Sequence, residues 1–339
     1  MKSTLWSDKL TNPHQTRTDY RHESHNENGR WIPQLSSLPS HYLATFTGTI
    51  SDASGSASIL SGGKSLAIGT AAGLVHCIDL ENGNDVWSDS SQHVPILQTL
   101  VYNEPKGLIA TAGSGGNVTL WRESDGLVVG RLLHEESIHN LAFSLDGTKL
   151  AAACCDGHIH LWDVESQVKT LSLPGHEPWA TACDWIAGAE VVVSAGTDSI
   201  IRLWNSVDGS ERASLEFGEK GEGIACRKQD SLVAIVGSEG RVSIHDPSTL
   251  KEVHRYSGHL AGVNCAAWSS TGRFLATGSD DQSVRIWDST QGIETHRFDF
   301  PQEFVWRVSW SPDDAFLAVS LCGDLVLILD TRDYATVSL

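Results

Sequence analysis

The sequence has 339 residues, of which 40% are hydrophobic and 19% charged, a globular balance and not a disordered one. Forty-two acidic residues against 24 basic ones leave a net charge of −18, which argues against non-specific binding to nucleic acids or anionic membranes, where basic patches supply most of the affinity. No run reaches 18 apolar residues, Met1-Lys2-Ser3-Thr4-Leu5-Trp6-Ser7-Asp8 lacks a secretory core, and seven cysteines are an odd number, so a cytoplasmic protein without a disulfide scaffold is expected.

Residues 1–40 carry five basic and four acidic residues, so nearly all the acidity belongs to residues 41–339. Three prolines and little apolar periodicity mark this stretch as a polar extension, although Trp6 and Trp31 are bulky enough to pack onto something. His14, His22 and His25 lie near Asp19, Glu23 and Glu27 and form a candidate metal-binding group, but no cysteine is near and no regular element fixes their spacing. Tyr42-Leu43-Ala44-Thr45-Phe46-Thr47 then reads as a strand. Ser61-Gly62-Gly63-Lys64-Ser65 looks like the end of a phosphate-binding loop. The earlier glycine is Ser58 and no helix comes after it, so a hairpin turn is the reading.

From here the chain repeats. Short apolar segments place anchors at Ile78, Trp121, Trp162, Trp204, His245, Trp287 and Leu329, spaced 43, 41, 42, 41, 42 and 42 residues apart. A histidine stands 28 residues before the anchor at His93, His134, His176 and His259. An acidic residue stands six before it at Asp156, Asp198, Glu239 and Asp281, and a hydroxyl ten before it at Thr111, Ser194 and Thr277. A large aromatic precedes it by 19 at Tyr102, Phe143, Trp185, Trp268 and Trp310. The intervening runs are short, β-branched and bounded by Gly, Asp and Ser, which predicts three or four strands per repeat. Such a small sheet cannot bury both faces alone. Seven stacked around an axis bury one another and leave only short outer edges.

The sequence resembles a WD-repeat β-propeller over roughly residues 41–339. The repeat Gly258 to Asp288 matches best, with Gly258-His259, Thr277-Gly278-Ser279, Asp281 and Trp287-Asp288. The resemblance implies an all-β fold, a seven-bladed β-propeller of four-stranded antiparallel blades closed by the strand near 42–47. The C-terminal stretch 334–339 competes for that closing role. It also implies buried structural tetrads, His176, Ser194, Asp198 and Trp204 in one blade and His259, Thr277, Asp281 and Trp287 in another, whose polar groups must satisfy one another. Elsewhere the pattern decays: Ala152 replaces the hydroxyl, Gly115 the acid, and Ile78, His245 and Leu329 the tryptophan. Those last three repeats are expected to be held by apolar packing alone and to be the softer ones.

The tetrads contain Ser, His and Asp, yet they recur in separate blades and no nucleophile elbow accompanies them, so no enzyme activity and no cofactor are expected. His158 and His160 alternate on one strand with Trp162 and read as a blade face, while Cys154 and Cys155 point to opposite faces. Asn117-Val118-Thr119 is a chance sequon in a cytoplasmic chain. The family usually binds partners at one rim of the ring. Here that rim would carry His139, Trp179, Asn264, Asp280, Phe304, Trp306 and Arg307, aromatics beside charges. The expected function is a scaffold for other proteins, with basic partner segments favoured by the acidic surface and a monomeric ring as the unit within a larger complex. The alternative is a metal- or small-ligand-handling protein using the histidine-bearing tail.

Overall fold

Every repeat turns its short apolar runs into strands, because β-branched and aromatic residues fit a pleated, half-buried surface and the Gly, Asp and Ser between them supply the turns. The structure, a computed structural model, describes residues 31–33, 42–47, 56–70, 73–82, 84–89, 97–322 and 325–332. The strands form seven antiparallel sheets in chain order, a seven-bladed β-propeller. Blade 1 is Ser56–Asp89, blade 2 Leu97–Leu132, blade 3 Ile138–Pro174, blade 4 Ala180–Glu216, blade 5 Gly221–Tyr256 and blade 6 Val263–Asp299. Blade 7 contains Val305–Trp310, Phe316–Leu321 and Leu325–Asp330.

The last blade takes its fourth strand from the other end of the chain. Tyr42–Thr47 pairs antiparallel with Leu325–Asp330, Phe46 lying opposite Val326. A fifth strand, Trp31–Pro33, pairs outside it, so this sheet has one strand more than the four-stranded pattern, and a piece of the polar extension belongs to the propeller. His14, His22, His25 and the stretch 334–339 lie outside the described residues.

Within a blade, burial depends on position. The second and third strands are buried on both faces, as in Phe274–Ser279 and Ser283–Asp288, whereas the outermost strand alternates, as in Glu211–Glu216. The core therefore lies between blades. Ile286 of blade 6 packs with Val305 and Leu317 of blade 7. Ile59 and Ile68 of blade 1 pack with Val326 and Ile328 of blade 7, which seals the ring. Each fully buried Ile or Leu contributes roughly 1.5–3 kcal/mol.

The aromatics 19 residues before the anchor tie neighbouring inner strands together. Trp185 Nε1 donates to the Ala142 carbonyl at 3.0 Å, Trp268 to Ala225 at 3.1 Å and Trp310 to Ala267 at 3.1 Å, in each case one blade back. Trp87 of blade 1 reaches forward instead, donating to the Glu123 carbonyl at 2.7 Å and stacking on Trp121. The Ser61–Gly63 segment is a tight turn with Gly62 at φ 74°, and a strand comes next, which is hairpin geometry and not a phosphate cradle.

Candidate functional site at the channel rim

Two blades hold complete tetrads. In blade 6, Trp287 Nε1 donates to Thr277 Oγ1 at 2.9 Å, Thr277 Oγ1 lies 2.8 Å from His259 Nε2, and His259 Nδ1 lies 2.9 Å from Asp281 Oδ2. One proton arrangement satisfies all of these. The hydroxyl accepts from the indole and donates to Nε2, and Nδ1–H then donates to the carboxylate. Burial pushes the Asp281 carboxyl up, but hydrogen bonds from Ser283 and His259 more than reverse this and hold it at about 2. Burial pulls His259 below its ordinary value against the opposing bond to Asp281. Blade 4 repeats the arrangement with Trp204, Ser194, His176 and Asp198, and Arg202 Nη1 adds a 2.7 Å contact to Asp198. These groups clamp the loop entering the blade to the turn between its second and third strands.

That clamp fixes the start of each inner strand, where a bulge recurs. Pairing skips one residue near the start of the inner strand in blades 2 to 7, at Gln98, His139, Thr181, Glu222, Asn264 and Trp306. A bulge re-aims its side chain. Inner strands all run in one direction, so these six side chains collect at one mouth of the channel. Several bind the next blade: His139 Nδ1 lies 2.9 Å from the Ala180 carbonyl, Thr181 Oγ1 donates to Gly221, and Asn264 Nδ2 donates to Val305 at 3.0 Å.

The rim residues form two groups. His139 packs edge-on against the half-buried Trp179, with ring centroids 6.1 Å apart. Arg307, from blade 7, donates to the His139 carbonyl at 2.9 Å and so reaches across the channel to blade 3. Burial lowers the pKa of Arg307. Asn264 and Asp280 form the second group through a 2.7 Å hydrogen bond. Phe304, on the segment entering blade 7, is 46% exposed, and Trp306 is half-buried. Further in, the channel forms a cavity of about 380 Å³ lined by inner-strand residues of all seven blades, Asp184 and Arg307 among them, with Lys228 from the turn after one inner strand. Burial raises Asp184 to about 6, against hydrogen bonds from the backbone N–H groups of Cys226 and Trp185.

Three features escaped the sequence reading. Gln98, Thr181 and Glu222 belong to the bulge series, and their signal is a constant place 23 residues before the anchor. Blade 5 is not held by apolar packing alone: the buried His245 bonds Ser243 Oγ at 2.9 Å and the Leu250 carbonyl at 2.7 Å. Imidazole replaces the indole there with two polar contacts. In blade 3, where Ala152 lacks the hydroxyl, His134, Cys154, Asp156 and His160 converge on one another. His160 Nε2 lies 2.8 Å from Asp156 Oδ2, and the His134 and His160 rings are 4.3 Å apart. Cys155 points the other way, its Sγ 3.1 Å from His139 Nε2.

Comparison with known proteins agrees with this architecture. Residues 250–288 match the family model of the WD domain, G-beta repeat, and residues 100–188 that of the anaphase-promoting complex subunit 4 WD40 domain. The chain is similar to Protein HIR1 of Cryptococcus neoformans, 25% identical over 57% of this chain and 26% of that protein. It is similar to THO complex subunit 3 of Arabidopsis thaliana, 26% identical over 59% of this chain and 65% of the relative. A chromatin assembly factor 1 subunit of Gallus gallus is 25% identical over 59% of this chain and 34% of the relative. The match spans less than two thirds of each relative's length. These matches, together with the seven four-stranded blades, support a WD-repeat propeller. Propellers of this family are generally non-catalytic, and relatives that are subunits of complexes support a protein-interaction scaffold in general.

Proposed function

We propose that this propeller is a non-catalytic adaptor whose partner docks at the bulged end of the channel, with Trp179 and Phe304 as apolar anchors and Trp306, Asp280 and Arg307 beside them. The observation that carries the reading is the bulge in each of blades 2 to 7, which gathers one side chain per blade around a single mouth. His139 and Asn264 stiffen that mouth through blade-to-blade bonds, so the anchors are presented on a preorganised frame and lose little entropy on binding. The net charge of −18 favours partner segments of basic character. A monomeric ring is the binding unit. A cytoplasmic setting belongs to the same reading, on the odd cysteine count of seven in the sequence.

The test is affinity capture from native cells with the wild-type chain and with Trp179→Ala plus Trp306→Ala. The double variant keeps its far-UV circular dichroism and loses the partners. An unchanged partner set removes this rim from consideration.

A further inference from the structure

Blade 3 keeps three slots of the tetrad, His134, Asp156 and Trp162, but Ala152 has no hydroxyl to offer. In blades 4 and 6 the corresponding histidine Nε2 meets that hydroxyl at 2.7 and 2.8 Å. In blade 3, His134 Nε2 is buried with no hydrogen-bond partner, on a side chain only 7% exposed, and its distance to Asp156 Oδ2 is 4.0 Å. A buried orphan of this kind calls for a group that the chain itself does not supply.

Two neighbouring slots have changed as well. The residue two before the anchor is Arg202 in blade 4 and Arg285 in blade 6, but His160 in blade 3. The residue eight before the anchor is Gly196 in blade 4, where an added Cβ would collide with the His176 ring. In blade 3 that place holds Cys154, whose thiol therefore lies against the histidine slot. A cation has been removed and a soft ligand added, both beside the orphaned nitrogen.

We propose that His134 Nε2, His160 Nε2, Cys154 Sγ and Asp156 Oδ2 bind a divalent zinc-type cation that replaces the missing tetrad bond of blade 3. One ligand atom from each of the four residues lies within 4.8 Å of those of the other three. The edges of a tetrahedral zinc site with nitrogen, oxygen and sulfur ligands run roughly 3.3–3.8 Å. The 2.8 Å His160–Asp156 contact opens by about half an ångström to meet this, and the 4.0 Å His134–Asp156 separation closes by slightly more than that. The ligands come from three separate places: the loop entering the blade, the end of its second strand with the adjoining turn, and its third strand.

The surroundings suit ligation. His160 Nδ1 lies 2.9 Å from Ser172 Oγ, which fixes the ring and directs Nε2 inward. The His158 N–H donates to Asp156 Oδ1 at 2.9 Å and leaves Oδ2 for the cation. Burial lowers His134 to about 4, which keeps its imidazole neutral at pH 7. Burial raises the Cys154 thiol, so the cation must displace its proton. Two contacts oppose binding, the first being the 3.6 Å hydrogen bond from the Cys154 thiol to the Ala152 carbonyl, which ligation breaks. The exposed Lys169 Nζ lies 3.4 Å from His134 Nδ1, and that nitrogen must carry the proton once Nε2 ligates, so Lys169 moves away. A thiolate with two imidazoles selects zinc over magnesium or calcium. Four protein ligands leave no open position, which makes the site structural and not catalytic.

The test uses the full-length chain, stripped with chelator and titrated with Co²⁺ as a spectroscopic probe, then with Zn²⁺. One equivalent of Co²⁺ is expected to give a thiolate-to-metal charge-transfer band that Zn²⁺ abolishes. Cys154→Ser removes the band, and His160→Gln weakens binding by about 100-fold or more. Ala152→Ser, which restores the tetrad hydroxyl and leaves every ligand in place, weakens Co²⁺ binding by about tenfold through competition for His134 Nε2. Replacing His14, His22 and His25 together by Ala leaves the band unchanged. Circular dichroism of each variant confirms that it has folded. Absence of the band in the wild type overturns the proposal, as does its persistence in Cys154→Ser or its loss only in the tail variant.

Discussion

Blade 6 and blade 3 are built on the same register, with the same histidine, acid and tryptophan slots, yet they solve the burial of polar groups differently. Blade 6 closes its network internally through Thr277, which serves both Trp287 and His259. Blade 3 has Ala152 there, and its His134, Asp156 and His160 crowd together without completing a chain of bonds. A network with one member removed does not become an apolar core, because the remaining polar groups stay buried and still need partners. A lost consensus residue therefore need not mark a weaker blade. It can mark a place where different chemistry has been installed.

The sharpest way to break the comparison is in blade 6. Trp287→Ala removes a buried indole and should lower stability by about 3–5 kcal/mol in a denaturant titration. Thr277→Ala, which gives blade 6 the blade 3 residue, should cost about 2–3 kcal/mol because it orphans both Trp287 Nε1 and His259 Nε2. If it costs nothing, the hydroxyl is not the keystone of the tetrad. The reciprocal change, Ala152→Ser in the metal-free protein, should raise stability by about 1 kcal/mol by giving His134 Nε2 a partner.

Acid tests the tetrads from another side. Asp281 is held at about 2, below the unfolded carboxyl range near 4, so its contribution is present above that range and is lost as pH falls toward 2. His259 and His176 are pulled below their ordinary value by burial, so the unfolded chain binds protons first and stability begins to fall below about pH 6.5. The melting midpoint should therefore fall in two windows on acidification. His259→Gln with Thr277→Val should shrink the upper one, leaving the part that His176 contributes, and a single featureless decline would contradict the scheme. The smallest effect is expected at the rim, where Phe304→Ser should change stability by under about 0.5 kcal/mol, read from the thermal midpoint.

The legible part of the fold owes its visibility to the period. Anchors such as Trp121 and Trp204 recur because every blade needs a large buried residue on its third strand, and one repeated demand is visible at a fixed spacing. The complete tetrads were legible for the same reason. The cluster in blade 3 was not, because each slot has its own bland meaning: Ala152 is a lost hydroxyl, His160 a face residue, and Cys154 one of two adjacent cysteines on opposite faces. Their meaning depends on convergence across strands that only the register supplies. His245 was misjudged for a similar reason, since its two polar partners, Ser243 and Leu250, lie off the repeating positions. Arg307 was placed near the rim, but its reach to the His139 carbonyl joins residues 168 apart and leaves no local mark.

The indole bonds of Trp185, Trp268 and Trp310 have a direction. Each runs from a later blade to the carbonyl of the blade made just before it. A chain synthesised from its N-terminus thus finds the acceptor for each of these indoles already made when the indole emerges. The final blade is the exception. Its fourth strand, Tyr42–Thr47, is made before the strands of blades 1 to 6 and must wait for Leu325–Asp330, made after them. Assembly can proceed as a row of blades added in order, but the circle is completed only when the two ends of the row meet.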